Sequence, residues 1–377
     1  MKIAYLITGM FNSAGMERVV ANKANYWAST GNEVMVITTD QNNRPDFYEL
    51  HPSVVRHDLN INFFQYDKYP IGIRFFCFIW KRILFKRRLS ALLYESRCDV
   101  VVSLILRSTD FLYKIKDGSR KFIEHHFSRY YASLFSDSFS RNKLGRFIYS
   151  VRGRMEERSL KKYDSFIVLT KEDAEMWGTM YKNLVVIPNF LTFIPQHTSS
   201  CNNKTAVAIG RLEYQKGFDT LLQIWHQVSP VGWKLDIYGD GADKEMLSRY
   251  IKEHGMESSV TLHPVTANVQ DVLKESSLYL MTSRFEGFPM VLIEAMACGV
   301  PPISFACKCG PRDIITDGED GFIVEEGDVS TFGKKLKVLT ENDDLRRKMG
   351  KAASQNIQRF SQENVMALWK DLFKSKN

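Results

Sequence analysis

The segment Thr205-Ala-Val-Ala-Ile-Gly-Arg-Leu-Glu-Tyr-Gln-Lys-Gly-Phe218 runs from an apolar stretch through a loop with two glycines into an amphipathic stretch. An apolar strand, a loop and then a helix form one unit of a parallel sheet. Such units recur along the chain in two series, and this pattern predicts two doubly wound, Rossmann-like α/β domains. The strand-like runs are Ile3–Thr8, Glu33–Thr38, Asp99–Ser103, Lys121–Glu124 and Ser165–Leu169, and then Thr205–Ile209, Lys234–Tyr238, Val260–His263, Leu278–Thr282, Pro302–Phe305 and Gly321–Val324.

A polar, aperiodic segment, residues 195–203, separates the two series of strands. Such a segment suits an interdomain linker, so we place the first domain at 1–195 and the second at 204–361. A length of 377 residues also favours two domains, because one hydrophobic core rarely serves so long a chain. The last stretch, 362–377, is predicted to be a helix that could pack on either domain, and we favour the first. Two domains imply a cleft between them.

The composition is that of a folded globular protein, with 44% hydrophobic and 25% charged residues. The opening run Met1–Thr8 is too short for a signal-peptide core. The most apolar internal stretch, Ile71–Phe85, is interrupted by three cations and falls short of a spanning helix. Six scattered cysteines favour a reducing cytoplasm over a disulfide framework. The spacing around Cys307 and Cys309 favours small buried thiols over a zinc site.

The loop Ser283–Pro289 leads into a short predicted helix that ends near Gly299. Proline suits the first position of a helix, and glycine suits its carboxyl-terminal cap. The free N–H groups at such a helix start can bind a phosphate or a polar sugar group. Glu286 precedes the helix and Glu294 lies within it, and ionised carboxylates accept hydrogen bonds from paired hydroxyls. Both could equally be ordinary carboxylates on a surface and on a helix face.

Two further loops follow predicted strands, where the ligands of open α/β sheets collect. Arg211 and Lys216 lie on the loop after Ile209 and could clamp a diphosphate, or could be solvated charges on a turn. The loop after the first strand contains Gly15, where the backbone can approach a phosphate closely. The sequence contains neither a Gly-x-x-x-x-Gly-Lys run nor a proper Gly-x-Gly-x-x-Gly, which argues against an ATPase or a dinucleotide enzyme.

Four motifs in a fixed order carry a family resemblance. They are Gly-Arg-Leu-x-x-x-Lys-Gly at 210–217, Tyr-Gly-Asp-Gly at 238–241, Glu-x7-Glu at 286–294, and Gly-Pro-x-x-Ile-Ile with Asp-Gly-x-x-Gly-Phe at 310–322. The combination resembles the family 4 retaining glycosyltransferases of the GT-B fold. Within that family it looks most like the bacterial exopolysaccharide and capsule branch, which includes the amylovoran-type enzymes. Ala14 stands where many of these relatives carry a second glycine.

The resemblance implies a nucleotide-sugar donor site in the second domain and an acceptor site in the first. The implied donor residues are Glu294 for the ribose, Glu286 for the sugar hydroxyls, Arg211 and Lys216 for the diphosphate, the backbone amides of Gly287 and Phe288 for orienting the sugar, Pro289 in the same donor-binding loop, His263, Pro264 and Val265 for the nucleobase, and Gly15 for the phosphates. A histidine of the stretch 124–126 would lie at the reacting centre, and His125 is preferred because it follows the acidic residue directly. His125, Glu286, Arg211 and Lys216 would carry the catalysis.

By resemblance, the chain would transfer a sugar from a UDP-sugar to a polyprenyl-pyrophosphate-linked saccharide, with retention of configuration, in surface-polysaccharide biosynthesis such as that of capsule or lipopolysaccharide. Neither a metal nor a bound cofactor is expected, since the nucleotide sugar is a co-substrate. A nucleotide-sugar 2-epimerase, a phosphorylase and a non-catalytic nucleotide-sugar-binding protein are alternatives on the same fold. The phosphorylase would need a pyridoxal-binding lysine region that the sequence does not offer. A monomer or a weak dimer is expected.

The net charge of +8 is concentrated in the first half of the chain. Residues 1–195 hold 29 Lys and Arg against 19 Asp and Glu. Within this half, the segment 69–97 interleaves basic and aromatic residues, as in a helix that lies in an anionic membrane surface. It could instead be a core helix with a solvated charged face. The basic half favours peripheral association with the inner face of the plasma membrane, and no nucleic-acid motif is recognised.

Overall fold

The computed structural model describes residues 1–13, 15–66, 71–130 and 153–375. It contains two parallel sheets, each flanked by helices, and so confirms the prediction of two doubly wound α/β domains. Ala14, and residues 69 and 70 of the basic and aromatic segment, lie outside these ranges.

Seven parallel strands form the sheet of the first domain, in the order β3-β2-β1-β4-β5-β6-β7. These strands are β1 (Lys2–Ile7), β2 (Glu33–Thr38), β3 (Val55–Asp58), β4 (Val100–Ser103), β5 (Arg120–His125), β6 (Ser165–Val168) and β7 (Leu184–Val186). They are connected by helices α1 (Gly15–Ser29), α2 (Ile71–Ser96) and α3 (Lys171–Trp177), by the helical residues 153–160, and by the 3₁₀ turns Phe63–Tyr66, Leu106–Ser108 and Leu112–Lys114. The edge strands β3 and β7 were not predicted, because they are short and only partly buried.

The central strands of this sheet are apolar on both faces. β4 is fully buried and pairs in register with β1, Val101 lying opposite Ala4. A parallel sheet that is covered by helices on both faces has near-continuous Val and Ile runs of this kind. These strands are therefore recognisable in the sequence. The strand order reverses between β1 and β4, and such a switch point is where open α/β sheets bind ligands.

Six parallel strands form the sheet of the second domain, in the order β10-β9-β8-β11-β12-β13. They are β8 (Thr205–Ile209), β9 (Lys234–Tyr238), β10 (Val260–His263), β11 (Leu278–Met281), β12 (Pro302–Phe305) and β13 (Phe322–Val324). The helices are α4 (Phe218–Val228), α5 (Lys244–Glu253), α6 (Val269–Lys274), α7 (Met290–Ala297), α8 (Pro311–Ile314), α9 (Val329–Glu341) and α10 (Asp343–Asn356), with 3₁₀ turns at Tyr214–Lys216 and Ile357–Phe360. The order reverses between β8 and β11, so this sheet also has a switch point.

The last helix, α11 (Gln362–Lys374), returns to the first domain. Its apolar side joins the core that α1 forms with one face of the first sheet. Phe373 stacks on Trp27 with their ring centroids 5.4 Å apart, and Trp369 is fully buried in the same cluster. The chain therefore passes twice between the domains, once at the linker and once before α11.

Candidate active site between the two domains

A cavity of about 770 Å³ lies between the two domains. The loops that line it include those after β1 and β5 in the first domain and those after β8, β9, β10 and β11 in the second. It thus adjoins the switch point of each sheet, where the carboxyl ends of the strands leave backbone groups available to a ligand. Of the residues predicted for the site, Gly15, Arg211, Lys216, Val265, Glu286, Gly287, Phe288 and Pro289 line the cavity, and His125, His263, Pro264 and Glu294 are not in its lining.

The loop between β8 and α4 holds its two predicted cations in different settings. Lys216 ends a 3₁₀ turn, and its Nζ lies 2.7 Å from Oε1 of Glu286. The side chain of Arg211 is 66% exposed and forms an ion pair with Glu213 at 2.9 Å. Lys216 and Glu286 neutralise each other in the wall of the cavity, whereas Arg211 lies at its solvent-accessible margin.

Gly217 allows this loop to lie close to the neighbouring strand. Its φ is +64°, in the left-handed region, and a Cβ at this position would lie 2.2 Å from the carbonyl oxygen of Thr282. The hydroxyl of Thr282 in turn donates to the carbonyl oxygen of Gly217 at 2.9 Å. The close approach brings Lys216 of one loop beside Glu286 of the other.

The loop between β11 and α7 is anchored on one side and touches the first domain on the other. The amide of Glu286 donates to the carbonyl oxygen of Lys308 at 2.6 Å, and the amide of Cys309 donates back to the carbonyl oxygen of Glu286 at 3.1 Å. A Cβ on Gly287 would lie 2.2 Å from the carbonyl oxygen of His126. A glycine is therefore needed where the loop between β11 and α7 meets the loop after β5.

Glu294 lies inside α7, and its side chain is fully buried. Its Oε1 lies 2.9 Å from an Nη of Arg18, on α1 of the first domain, and accepts a hydrogen bond from the hydroxyl of Thr192 at 2.6 Å. Burial raises the pKa of Glu294, and the charge of Arg18 offsets part of that effect. Arg18 lines the cavity, so the carboxylate lies directly behind a cavity residue.

His126, and not His125, lies at the cavity. Successive side chains of a strand point to opposite faces of the sheet. His125 is the last residue of β5, and its ring packs against Phe166 and Trp177, with centroids 6.1 and 5.6 Å away. Burial lowers the pKa of His125 to about 4. The preference for His125 therefore needs correction, because its ring is part of the core beside α3.

A buried ionic network, formed by Lys23, Glu124 and His126, lies behind the cavity wall. Lys23 of α1 donates to Oε1 of Glu124, and both side chains are fully buried. Nε2 of His126 lies 3.1 Å from the same carboxylate oxygen. Burial alone would raise the pKa of Glu124, but the charges of Lys23 and His126 lower it to about 2. The ammonium of Lys23 also lies 4.3 Å from the ring centroid of Trp369, so the network connects α1, β5 and α11.

The predicted nucleobase contacts are divided between the cavity and its surroundings. Val265 lines the cavity, whereas His263 stacks on Tyr238 with centroids 4.4 Å apart and an interplanar angle of 12°. Nε2 of His263 also lies 2.9 Å from a carboxylate oxygen of Asp236. Tyr238 itself lines the cavity. Tyr238 is therefore the aromatic residue of this stacked pair that lines the cavity, and His263 covers one face of its ring.

Sequence reasoning missed Arg18 and Tyr238 as cavity residues. Tyr238 was quoted within a motif without a role, although it ends β9, where a strand-end residue is expected to face a ligand. Arg18 is three residues beyond Gly15, in the first turn of α1, and its partner Glu294 is remote in sequence. Only the proximity of Gly15 could have drawn attention to it.

Cys307 and Cys309 are both buried free thiols, and burial raises the pKa of each. Within the part of the chain that the structure describes, no three His, Cys, Asp or Glu side chains are grouped as metal ligands would be. The two cysteines belong to the segment that anchors the Glu286 loop through its backbone.

Comparisons with known proteins agree with this architecture. The family model described as Glycosyltransferase Family 4 matches residues 13–192, and the model described as Glycosyl transferases group 1 matches residues 190–356. Together they span nearly all of both domains. The chain is therefore a glycosyltransferase of the GT-B type, and it belongs to family 4 of these enzymes, as the motifs predicted.

Two relatives and two solved structures illustrate the match. An uncharacterised glycosyltransferase of Haemophilus influenzae is 27% identical over 98% of this chain and 99% of its own length. The amylovoran biosynthesis glycosyltransferase AmsD of Erwinia amylovora is 36% identical over 220 residues, which make up 55% of this chain and 62% of AmsD. The crystal structure of TarM from S. aureus superposes with a TM-score of 0.78 and 17% identity, over 99% of this chain and all of TarM. The lipopolysaccharide outer core galactosyltransferase WaaB superposes with a TM-score of 0.72 and 22% identity, over 99% of each chain. The two superpositions show a shared fold.

Proposed function

We propose that this chain transfers a sugar from a UDP-sugar to a hydroxyl of a lipid-linked saccharide, with retention of configuration, during the assembly of a surface polysaccharide. The observation that carries the proposal is the pair of Lys216 and Glu286, 2.7 Å apart in the wall of the interdomain cavity. An ammonium group suits the donor diphosphate, and a carboxylate suits the sugar hydroxyls. A nucleotide sugar offers both groups in the same molecule.

The proposed reaction exchanges one bond at the anomeric carbon for another. The bond from this carbon to the diphosphate oxygen breaks, and a bond to the acceptor oxygen forms on the same face. The acceptor proton passes to the departing phosphate oxygens. Negative charge grows on the leaving diphosphate during this step, so Lys216 and Arg211 would stabilise the transition state more than the ground state. Neither the transfer of the sugar nor the transfer of the acceptor proton requires a metal in this scheme.

In this proposal the base, the diphosphate and the sugar of the donor contact successive parts of the cavity. Tyr238 and Val265 would contact the base, Lys216 and Arg211 the diphosphate, and Glu286 with the Gly287 turn the sugar. TarM was crystallised in complex with UDP, and the Anabaena protein HepE with UDP-glucose. These proteins share the fold of this chain, and their ligands support UDP as the nucleotide to be tested first.

His126 replaces His125 in the proposed reacting centre. It lines the cavity, and its backbone touches the donor-side loop at Gly287. Glu124, held ionised by Lys23, lies 3.1 Å from Nε2 of His126 and would fix the orientation of the ring. His126 would therefore contact the donor sugar or the acceptor hydroxyl from the side of the first domain.

The acceptor proposal draws on the names of the relatives. AmsD acts in amylovoran biosynthesis, and a lipopolysaccharide 1,6-galactosyltransferase of Escherichia coli is 37% identical over 34% of this chain and 37% of its own length. The first name concerns the biosynthesis of amylovoran, and the second concerns lipopolysaccharide. A saccharide attached to a membrane lipid is the corresponding acceptor for this chain.

Helix α2 supports the membrane part of the proposal. Phe76, Trp80 and Ile83 are 73%, 57% and 63% exposed, about one to three turns before the exposed cations Lys86 and Arg87. The opposite side of the helix packs Phe85, Leu89, Leu92 and Leu93 into the core. One face of the helix therefore belongs to the core, and the other exposes aromatic and basic side chains together. Such a combination suits an anionic bilayer surface.

The topology also supports the membrane part of the proposal, because the exposed aromatic residues of α2 lie toward the same edge of the sheet as the cavity. Because α2 connects parallel strands β3 and β4, it begins at the carboxyl edge of the sheet and ends at the amino edge. The exposed aromatic residues lie in its first half, and the cavity lies at the carboxyl edge. None of the helices in the described ranges is long and apolar enough to cross a bilayer. Docking through the patch would bring the cavity near a lipid-linked acceptor without a spanning segment.

The proposal is tested by incubating the protein with radiolabelled nucleotide sugars and a membrane lipid extract. We expect label from a UDP-sugar to enter the lipid phase, and the anomeric configuration of the product, read by NMR, to match that of the donor. Parallel reactions with and without EDTA test metal independence. Label that remains in a rearranged nucleotide sugar would identify an epimerase, and binding without turnover of any donor would identify a non-catalytic protein.

A further inference from the structure

Glu294 is held by two groups that do not belong to the second domain. Arg18 lies on α1 of the first domain, and Thr192 follows β7, the last strand of the first sheet, before the linker at 195–203. Both contact the same oxygen, Oε1, at 2.9 and 2.6 Å. An Nη of Arg18 also donates to the hydroxyl of Thr192 at 2.5 Å. The three side chains form a closed triangle that spans the domain boundary.

The other carboxylate oxygen, Oε2, is buried and has no hydrogen-bond partner among the described residues. An unpaired buried carboxylate oxygen is costly, because an ionised oxygen is strongly hydrated in water. Glu294 is thus anchored through Oε1 and retains an unused acceptor, and its partner Arg18 lines the cavity. The arrangement is that of a carboxylate whose second oxygen can accept from a ligand hydroxyl.

We propose that Arg18 and Thr192 are positioning residues that hold Glu294 through Oε1, so that Oε2 accepts a hydrogen bond from a ribose hydroxyl of the donor nucleotide. The inference rests on the proposed nucleotide-sugar function and adds residues from outside the donor domain to ribose recognition. It implies that the donor is recognised as a ribonucleotide only when Arg18 of α1 contacts Glu294 of α7, as it does here.

Both the planar geometry and the charge of the Arg18 guanidinium contribute to the positioning of Glu294. It binds the Glu294 carboxylate and the Thr192 hydroxyl through fixed N–H directions, which a lysine ammonium cannot reproduce. Removing Arg18 would leave a fully buried carboxylate without its counter-charge. The carboxylate would then reorient or take up a proton, and the ribose would lose its fixed acceptor.

The experiment compares two ligands that differ only in the ribose hydroxyls, UDP and 2′,3′-dideoxy-UDP. Their dissociation constants are measured by calorimetry for the wild type, Arg18→Gln, Arg18→Lys and Thr192→Val. A hydrogen bond to a charged group predicts about 10- to 100-fold tighter binding of UDP than of the dideoxy compound by the wild type. We expect Arg18→Gln to reduce this ratio to within about threefold, with little change for the dideoxy compound. Arg18→Lys and Thr192→Val should give intermediate ratios.

Arg347→Gln is the matched control, because Arg347 forms an exposed ion pair with Asp344 at 2.6 Å on α10, outside the cavity. It should bind both ligands as the wild type does. If the melting curve of Arg18→Gln shows that this variant does not fold, the ratio of the two dissociation constants is compared between the wild type and Thr192→Val alone. Equal weakening of both ligands would overturn the inference and make Arg18 a phosphate contact, and an unchanged ratio would also overturn it. A wild type that binds neither ligand would instead refute the proposed function.

Discussion

The two sides of the cavity use charged residues in opposite ways. On the side of the second domain, the proposed donor side, Lys216 and Glu286 form an ion pair at the cavity wall, with side chains 22% and 7% exposed. On the side of the first domain, the proposed acceptor side, Lys23 and Glu124 are fully buried behind the wall, and only His126 of their network reaches the cavity. The donor-side charges are therefore placed to exchange partners with a ligand. The acceptor-side charges are placed to stay paired and to support one ring.

This difference separates function from stability on the two sides. A partly exposed ion pair contributes little to folding and can be opened by a ligand. A buried pair is strongly destabilising when one partner is removed, because the other charge is left without compensation. Charge removal should therefore impair turnover on the donor side, and both stability and turnover on the acceptor side. The predictions below test that contrast.

The largest effect is expected from Glu124→Gln, which leaves Lys23 buried and unpaired. We expect a loss of about 3–5 kcal/mol in the free energy of unfolding, measured by chemical denaturation. Because the native pKa of Glu124 is about 2 against an ordinary value of 4.5, its contribution is full above pH 4.5 and is lost as pH falls toward 2. The free energy of unfolding of Glu124→Gln should therefore fall less than that of the wild type as the pH is lowered from 4.5 toward 2. Equal stability of variant and wild type at pH 7 would remove the contrast between the two sides.

Lys216→Ala tests the donor side. Its removal takes away a cation from the leaving diphosphate, and we expect turnover to fall about 100- to 1,000-fold. The melting temperature should fall less than in Glu124→Gln, since Lys216 is 22% exposed whereas Lys23 and Glu124 are fully buried. Lys337→Ala, which removes an exposed lysine of α9, is the matched control. Wild-type turnover in Lys216→Ala would refute the diphosphate role.

The third prediction compares the two adjacent histidines. His126→Ala should lower kcat about 100-fold, because His126 lines the cavity. His125→Leu should keep kcat within about threefold and change mainly stability, by about 1–2 kcal/mol, because its ring is packed in the core. Steady-state kinetics and denaturation of both variants provide the measurement. The reverse pattern would restore the preference for His125.

The smallest effect concerns the exposed face of α2. Replacing both Lys86 and Arg87 by glutamine should weaken binding to vesicles with 30% anionic lipid by about 2 kcal/mol, since each cation near such a surface contributes about 1 kcal/mol. The loss should disappear at high salt or on neutral vesicles. Arg88 is not included, because its guanidinium donates to the carbonyl oxygens of Leu59 and Asn60. Unchanged partitioning in sedimentation assays would leave α2 as a core helix alone.

Much of the donor side was predictable because its signals are local. Gly217 and Pro289 mark loop geometry that follows from backbone preferences, and Lys216 and Glu286 lie on loops directly after strands. The acceptor side was less predictable, because adjacent residues at the end of β5 differ only in the direction of their side chains. A shift of one position moves a histidine from the cavity to the core.

The sequence by itself determined the two series of strands, the family motifs and the loops that carry Lys216 and Glu286, because periodicity and turn preferences act over a few residues. Only the tertiary structure decided that His126 lies at the cavity, that Tyr238 rather than His263 faces it, and that Arg18 holds Glu294. These contacts join loops and helices that are remote in sequence. They depend on how two separately folded sheets pack against each other, and no local pattern records that packing.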